Sequence, residues 1–248
     1  MQQIPMDTAD QAFARCWRSA GLHLQAQGQG SLNAWLRAHL NPPFLEHLSF
    51  RLGNQLFFVR IEDTAGRLRV PGTVDGLMYL ASECRGHPCL MLMRQTGEDW
   101  SPIHPGWGLT DVASGRTIDP PSLVTDELIE MTDWELHDFA VQVVRERLAG
   151  LGRQVMTWQG NPDVDPAVWF VGNKGPEWVV VRATRYPASD AKRPANWQDI
   201  AAQCSALSST GHFASVRVAN AAQNEWGEVL PLWRGQALTP SCVGLCDP

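Results

Sequence analysis

Apolar residues recur at helical spacing near the beginning of the chain. Phe13, Trp17 and Leu24 belong to a set that falls on one side of a helix, so the spacing predicts a first amphipathic helix here. Ser31 has the side chain of a helix cap, and the apolar positions after it predict a second helix as far as Leu40.

The clearest helical pattern lies in the second half of the chain. Thr132 and Glu135 have the spacing of a capping box, and the apolar positions that follow predict a helix ending near Leu148. Two further helices are predicted, over residues 73–84 and over residues 196–207.

Short apolar runs bounded by turn residues predict the strands. Residues 48–52 and 56–61 flank Gly53-Asn54-Gln55, and glycine and asparagine tolerate the positive φ of a hairpin turn. The other predicted strands cover residues 90–93, 154–158, 168–171, 178–183 and 213–219. The Gly- and Pro-rich stretch 97–123 predicts a linker, and the polar residues 240–248 predict a loose tail.

The second half of the chain repeats features of the first half in the same order. We therefore predict an α/β fold of two tandem, internally duplicated α-β-β-α-β units, residues 1–122 and 123–248, that pack as a pseudo-dimer. The matched positions are Gly53-Asn54 with Gly172-Asn173, Val59-Arg60 with Val181-Arg182, Cys84 with Cys204, Gly86-His87 with Gly211-His212, and Pro105-Gly106-Trp107 with Pro231-Leu232-Trp233.

Four of the matched residues are candidates for binding. Arg60 and Arg182 each stand near the end of an apolar strand, where a charge is costly unless it is paired. Each arginine either binds an anion or bonds a carboxylate or a helix C-terminus inside its own unit, and we favour the second interpretation. Trp107 and Trp233 follow a Pro-x pair, and their indoles either close the core or form exposed anchors.

Charge and hydropathy narrow the classes of partner. The chain has 20 basic against 26 acidic residues, a net charge of −6, and its arginines form no basic stripe. A nucleic-acid ligand is therefore not favoured, because phosphate neutralisation dominates such binding, and a protein partner is expected instead. No apolar run is long enough for a membrane helix and no secretory signal is visible, so we expect a cytoplasmic protein.

None of the six cysteines forms a C-x-x-C pair. In a cytoplasmic protein of this size the expected state is a buried thiol. Cys242 and Cys246 leave open a metal or disulfide clip near the end of the sequence.

The segment Asn161-Pro162-Asp163-Val164-Asp165 precedes a predicted strand in the second unit. With the order helix, three strands, helix, strand over residues 130–220, this segment resembles the restriction-endonuclease-like superfamily. The motif of that superfamily is Pro-Asp followed by Asp/Glu-x-Lys on the next strand. The resemblance implies a nuclease in which two carboxylates hold a divalent metal ion near the scissile phosphate.

This sequence departs from the second part of the motif. Arg182-Ala183-Thr184 stands where Glu-x-Lys is expected, and Glu177 lies about five residues early. The resemblance then implies a non-catalytic member that needs no metal or other cofactor, because an arginine opposes a metal ion. We therefore expect a protein-binding module of the inhibitor, immunity or adaptor type that meets a bacterial protein partner. The alternative is a divergent metal-dependent nuclease that uses Asp163, Asp165 and Glu177.

Overall fold

The structure is a computed structural model that describes residues 3–4, 11–28, 35–37, 44–224 and 227–245. The chain divides into two compact units, Met1–Ile129 and Glu130–Pro248. The first unit ends seven residues after the boundary predicted at residue 122. Both units combine helices with a mixed β-sheet, so the fold is α/β.

The first unit is dominated by strands. Its elements, in chain order, are β1 (Gln3–Ile4), α1 (Gln11–Gly28), β2 (Trp35–Arg37), β3 (Phe44–Leu45), β4 (Leu48–Leu52), β5 (Gln55–Asp63), α2 (Val74–Glu83), β6 (His87–Thr96), β7 (Asp99–Pro102), β8 (Leu109–Asp111), β9 (Thr117–Ile118) and α3 (Pro120–Leu123).

The main sheet of this unit is centred on two parallel strands, β5 and β6, which α2 connects. The strand order is β2-β4-β5-β6-β8-β9, and β7 pairs with another part of β6. The predicted hairpin is confirmed: β4 and β5 are antiparallel, and Gly53 in their turn has φ +56°. The Thr73 hydroxyl accepts a hydrogen bond from the Gly76 amide at 3.0 Å and so begins α2 as predicted. The side of α1 that carries Phe13, Trp17 and Leu24 is buried.

The second unit has fewer and longer elements. They are α4 (Asp133–Gly150), β10 (Gln154–Trp158), β11 (Val168–Val171), β12 (Pro176–Arg185), α5 (Trp197–Cys204), β13 (Gly211–Asn220) and β14 (Leu238–Val243). The predicted capping box is present, because Glu135 accepts from the Thr132 backbone and Thr132 accepts from the Glu135 backbone. This reciprocal pair satisfies two amides that the first turn of α4 would otherwise leave open.

The sheet of the second unit has the order β10-β11-β12-β13-β14. β12 and β13 are parallel and α5 connects them, while every other neighbouring pair is antiparallel. Trp178 and Val180 of β12 pack with Ile200 and Cys204 of α5 in one buried cluster. Since side chains alternate along a strand, the buried Val179 and Val181 face the opposite side of this sheet.

The two sheets share one pattern of pairing. In each, an antiparallel hairpin leads into a parallel pair that a helix connects, and a further antiparallel strand follows. Each unit has one more antiparallel strand before the hairpin, β2 in the first and β10 in the second. Apart from β1, β3, β7, β9 and α3 of the first unit, the order that the two units share is α-β-β-β-α-β-β, which extends the predicted α-β-β-α-β order by a strand at each side of the sheet.

Three sequence-based predictions need correction. The predicted helix 31–40 falls largely outside the described residues, and its described part, Trp35–Arg37, is a strand paired with β4. The predicted linker 97–123 instead contributes β7, β8 and β9 to the first sheet. The predicted loose tail contains β14, which pairs with β13, although residues 246–248 lie outside the described part.

Gly211 begins β13 against a buried indole. A Cβ at this position would lie 2.1 Å from the ring of Trp178, which is 1% exposed. We expect Gly211→Ala to lower the free energy of unfolding by about 1–3 kcal/mol, because the ring must leave its packed position. The measurement is urea unfolding followed by tryptophan fluorescence.

The matched control is Gly150→Ala in the last turn of α4, where a Cβ meets nothing within 4 Å. This substitution is expected to be neutral or to stabilise the protein by up to about 1 kcal/mol, since alanine is the better helix former. Equal unfolding midpoints for the two variants would contradict the packing role of Gly211.

Candidate functional site

Arg182 and Asp165 form a two-pronged ion pair in the second unit. The Arg182 Nη1 atom donates to Asp165 Oδ1 at 2.8 Å, and Nη2 donates to Oδ2 at 2.5 Å. Nη1 also donates to the carbonyl of Val181 at 2.8 Å. The side chains are 27% and 13% exposed, so the pair is largely shielded from solvent. Arg182 is therefore bonded to a carboxylate of its own unit, as the favoured interpretation of the sequence proposed.

Asp165 belongs to the connection between β10 and β11. Hydrogen bonds from side chains within this connection stabilise its conformation. We call residues 159–166 the braced loop. The side-chain oxygen of Gln159 accepts a hydrogen bond from the Asn161 backbone amide at 2.7 Å, and the Gln159 Nε2 atom donates to the Val164 backbone carbonyl. The side-chain oxygen of Asn161 accepts from the Asp163 amide at 2.9 Å. The ion pair to Arg182 then fixes the end of this loop to β12.

The braced loop also approaches α4 closely. A Cβ at Gly160 would lie 1.8 Å from Asp138 Oδ1, so only glycine lets the loop backbone approach the Asp138 carboxylate this closely. Asp138 itself is buried, at 8% exposed. The loop is thus anchored through Arg182 on β12 and packed against α4.

His137, the neighbour of Asp138 on α4, is 5% exposed, and its Nε2 atom has no hydrogen-bond partner. Burial, helped by the Arg182 guanidinium, lowers the pKa of this imidazole to about 4. Asp165 and Asp163 act in the opposite direction and raise it. The imidazole is therefore held neutral at neutral pH, beside the ion pair, by its desolvation.

Glu177 does not join the other two carboxylates of the nuclease alternative. Its Oε2 atom lies 2.8 Å from His212 Nε2, and it also lies against Gly172, where a Cβ would approach Oε1 to 1.9 Å. Alternation along β12 places Glu177 and Arg182 on opposite faces of the sheet. Asp165 is engaged by Arg182, while Asp163 is exposed on the braced loop. Among the described residues there is no group of three or more His, Cys, Asp or Glu side chains that could hold a metal ion.

Arg60 of the first unit has a similar internal set of partners. Its Nε atom donates to Glu62 Oε1 at 3.0 Å, and Nη1 donates to the Pro71 carbonyl at 2.8 Å. The Arg60 side chain is only 12% exposed. These bonds give Arg60 a structural role on β5.

The two candidate tryptophans differ in their surroundings. Trp107 is 7% exposed and stacks on Phe50, with 5.3 Å between ring centroids, so its indole closes the core of the first unit. Trp233 is half-buried and forms an isolated antiparallel bridge with Glu130.

Cys16, Cys89, Cys204 and Cys242 are free thiols. Burial, helped by the Asp63 carboxylate, raises the pKa of Cys16 to about 12, and burial also raises the pKa of Cys89. Such thiols stay protonated and unreactive at neutral pH. Cys242 is half-buried, and its possible partner Cys246 lies outside the described residues, so the clip stays a prediction.

Sequence reasoning selected Arg182 and Asp165 separately but missed their bond and the neighbouring His137. The available signal for His137 was its position on the apolar side of the predicted helix, three residues before Ala140 and seven before Val144. A histidine on that side is buried and must find a partner or stay neutral.

The comparisons with known proteins concern the second unit. Residues 134–247, which contain the Asp165–Arg182 pair and the braced loop, match the model of a domain of unknown function, DUF8840. No curated protein and no solved structure matches the chain. None of the described helices is both long and apolar enough to cross a membrane.

Proposed function

We propose that the protein is a non-enzymatic protein-binding module of the inhibitor, immunity or adaptor type on a catalytically degenerate nuclease-like scaffold. The observation that carries this proposal is the ion pair between Arg182 and Asp165. In the nuclease-like family that the sequence resembles, the position of Arg182 belongs to a metal-binding carboxylate.

A metal centre needs free carboxylate oxygens and surroundings that attract a cation, and the ion pair opposes both at Asp165. Both oxygens of Asp165 accept from the Arg182 guanidinium, so they are engaged by a cation that belongs to the protein. The fixed positive charge also repels a divalent ion that approaches the carboxylate. The geometry therefore favours a structural role for Asp165 over a catalytic one.

Charge supports a protein partner. A net charge of −6 and the absence of a run of basic residues in the sequence disfavour a nucleic-acid ligand, whose phosphates must be neutralised. An acidic surface instead accelerates encounters with a basic protein. The free thiols of Cys16, Cys89, Cys204 and Cys242 support a location in the cytoplasm, where cysteines stay reduced.

We also infer that the two units arose by internal duplication. His87 lies opposite Phe57 in the parallel pair of the first sheet, and its Nε2 is 3.0 Å from the side-chain oxygen of Gln55, two residues before Phe57. His212 lies opposite Val179 in the second sheet, and Glu177 is two residues before Val179.

The same register aligns the arginines. Arg60 follows Phe57 by three residues, and Arg182 follows Val179 by three residues. In both sheets, the histidine at the start of one parallel strand contacts a side chain two residues before the residue paired with it, and the arginine lies three residues after that paired residue. The α/β fold does not require this arrangement. The shared arrangement, together with the shared strand pairing, supports a common origin of the two units.

Metal titration tests the non-enzymatic assignment. We expect calorimetric titration of the wild-type protein with Mn²⁺ or Mg²⁺ to give no binding heat, and incubation with supercoiled plasmid and either ion to leave the DNA intact. The double variant Asp163→Ala plus Asp165→Ala is the matched control. Saturable Mn²⁺ binding or plasmid cleavage that the double variant loses would establish the nuclease alternative.

A further inference from the structure

We propose that the braced loop, residues 159–166, is the element that docks the partner protein, with Val164 as its apolar contact and Asp163 as its charged contact. The partner surface that fits this loop has a small apolar pocket beside an arginine or lysine side chain. This inference rests on the proposed function and names the surface that carries it out.

Exposure selects the two contact residues. Val164 is an aliphatic residue and yet is 46% exposed. Its neighbour Asp163 is exposed as well. An aliphatic side chain at the tip of a loop gains free energy when a partner covers it. Val164 alone would be unremarkable, because single exposed apolar residues are common on protein surfaces.

The shape of the loop is the second argument. The Gln159 side chain donates to the Val164 carbonyl, and the Asn161 side chain accepts from the Asp163 amide, so the base of the loop is connected to its tip. The Val164 amide also donates to the Asn161 carbonyl at 3.2 Å. Arg182 then fixes the loop to β12. A loop held in one conformation loses little entropy on binding, so more of its contact energy contributes to affinity.

The charge of the loop determines the chemistry of the partner. Residues 154–172 contain no lysine or arginine, and the charge of Asp165 is neutralised by Arg182. Asp163 is therefore the acidic residue of the braced loop that forms no ion pair with any described residue. A cationic side chain of the partner beside the Val164 pocket would complement it and would orient the encounter.

This assignment also explains why an arginine stands on β12. At this position a metal-binding carboxylate would be repelled by Asp165 unless a metal ion lay between them. Arg182 instead bonds Asp165 directly and holds the loop without any ligand. A position that serves catalysis in the resembled family thus serves to shape a contact surface here.

Site-specific photo-crosslinking in cells of the native host tests the proposal. The probe is p-benzoylphenylalanine, placed at Val164 and, as matched exposed controls, at Tyr79 (61% exposed) and Leu207 (58% exposed). We expect a discrete protein adduct with the probe at 164, and only background at 79 and 207. Peptide mapping of the adduct should place the crosslink beside arginine or lysine in the captured protein.

A charge reversal provides the decisive variant. With the probe at 164, Asp163→Lys should reduce the adduct by about tenfold or more, because it places like charges opposite each other. Unchanged thermal unfolding of each probe protein shows that the fold is kept, as expected for exposed positions.

The remaining outcomes separate this inference from the proposed function. A protein adduct at 79 or 207 without one at 164 would overturn the docking role of the loop and leave a protein-binding module intact. No adduct at any position would count against both. A nucleic-acid adduct at 164, or a protein adduct that Asp163→Lys leaves unchanged, would overturn the assigned partner chemistry.

Discussion

Replacing Arg234 with alanine is expected to lower the free energy of unfolding by about 3–5 kcal/mol, the range for removing one partner of a buried ion pair. The Arg234 side chain is 1% exposed and that of Glu135 is 10% exposed. The Nε and Nη2 atoms of Arg234 donate to the two oxygens of Glu135, each at 2.8 Å. Without Arg234, a carboxylate remains buried with its charge uncompensated.

The effect extends to the beginning of α4. The Glu135 Oε2 atom also accepts from the Thr132 amide at 2.9 Å, so the same carboxylate completes the capping box. A protonated or displaced Glu135 would weaken that cap as well. Arg234 thus connects the segment before β14 to the first turn of the helix.

Urea unfolding at neutral pH measures this loss. The matched control is Arg15→Ala, which removes an exposed ion pair with Glu98, where the two charged atoms are 3.9 Å apart. Exposed pairs of this kind contribute about 0–1 kcal/mol. A loss for Arg234→Ala as small as that for Arg15→Ala would show that the buried pair contributes no net stability.

Elements with local signals could be predicted from the sequence. The capping box of Thr132 and Glu135 and the turn at Gly53 both depend on residues a few positions apart, and both are present. The strand pairs around them also follow from runs of apolar residues, because such runs can be buried on a sheet only if neighbours cover them.

Elements that depend on distant partners could not be predicted in this way. β8 and β9 are short and lie among glycines and prolines, so composition suggested a linker. β8 is a strand because it pairs with β6, and β9 because it pairs with β8, so distant backbone supplies the hydrogen bonds that the segment itself cannot form. β14 is similar: Pro240 stands inside it, and proline is tolerated because β14 is an edge strand of the described sheet.

The candidate site shows the same division. Its charged residues could be selected, because arginine on an apolar strand must find a partner. Which partner it finds is a question of geometry: Arg182 bonds Asp165, whereas Glu177 bonds His212. Only the alternation of β12 and the path of the braced loop separate these carboxylates, and neither can be derived from the spacing of the acidic residues alone.

Lowering the pH from 7 to 4 is expected to cost the wild-type protein about 3 kcal/mol through His137 alone. Burial lowers the pKa of this imidazole from 6.5 to about 4, so the unfolded chain takes up a proton that the folded protein rejects. The contribution of His137 to stability is complete above pH 6.5, falls as the pH decreases from 6.5 to 4, and is lost below about 4. The pKa values of Asp63 and Asp111 are also lowered, but the stability that these carboxylates contribute is lost only as the pH falls below their ordinary pKa of 3.8.

The variant His137→Leu isolates this contribution. Leucine fills much of the space without a titrating group, and it removes the Nε2 atom that lacks a partner. The difference in unfolding free energy between wild type and variant, measured in urea at several pH values from 4 to 7.5, should change by about 3 kcal/mol in favour of the variant as the pH falls. A difference that is constant with pH would show that His137 titrates equally in the folded and unfolded states.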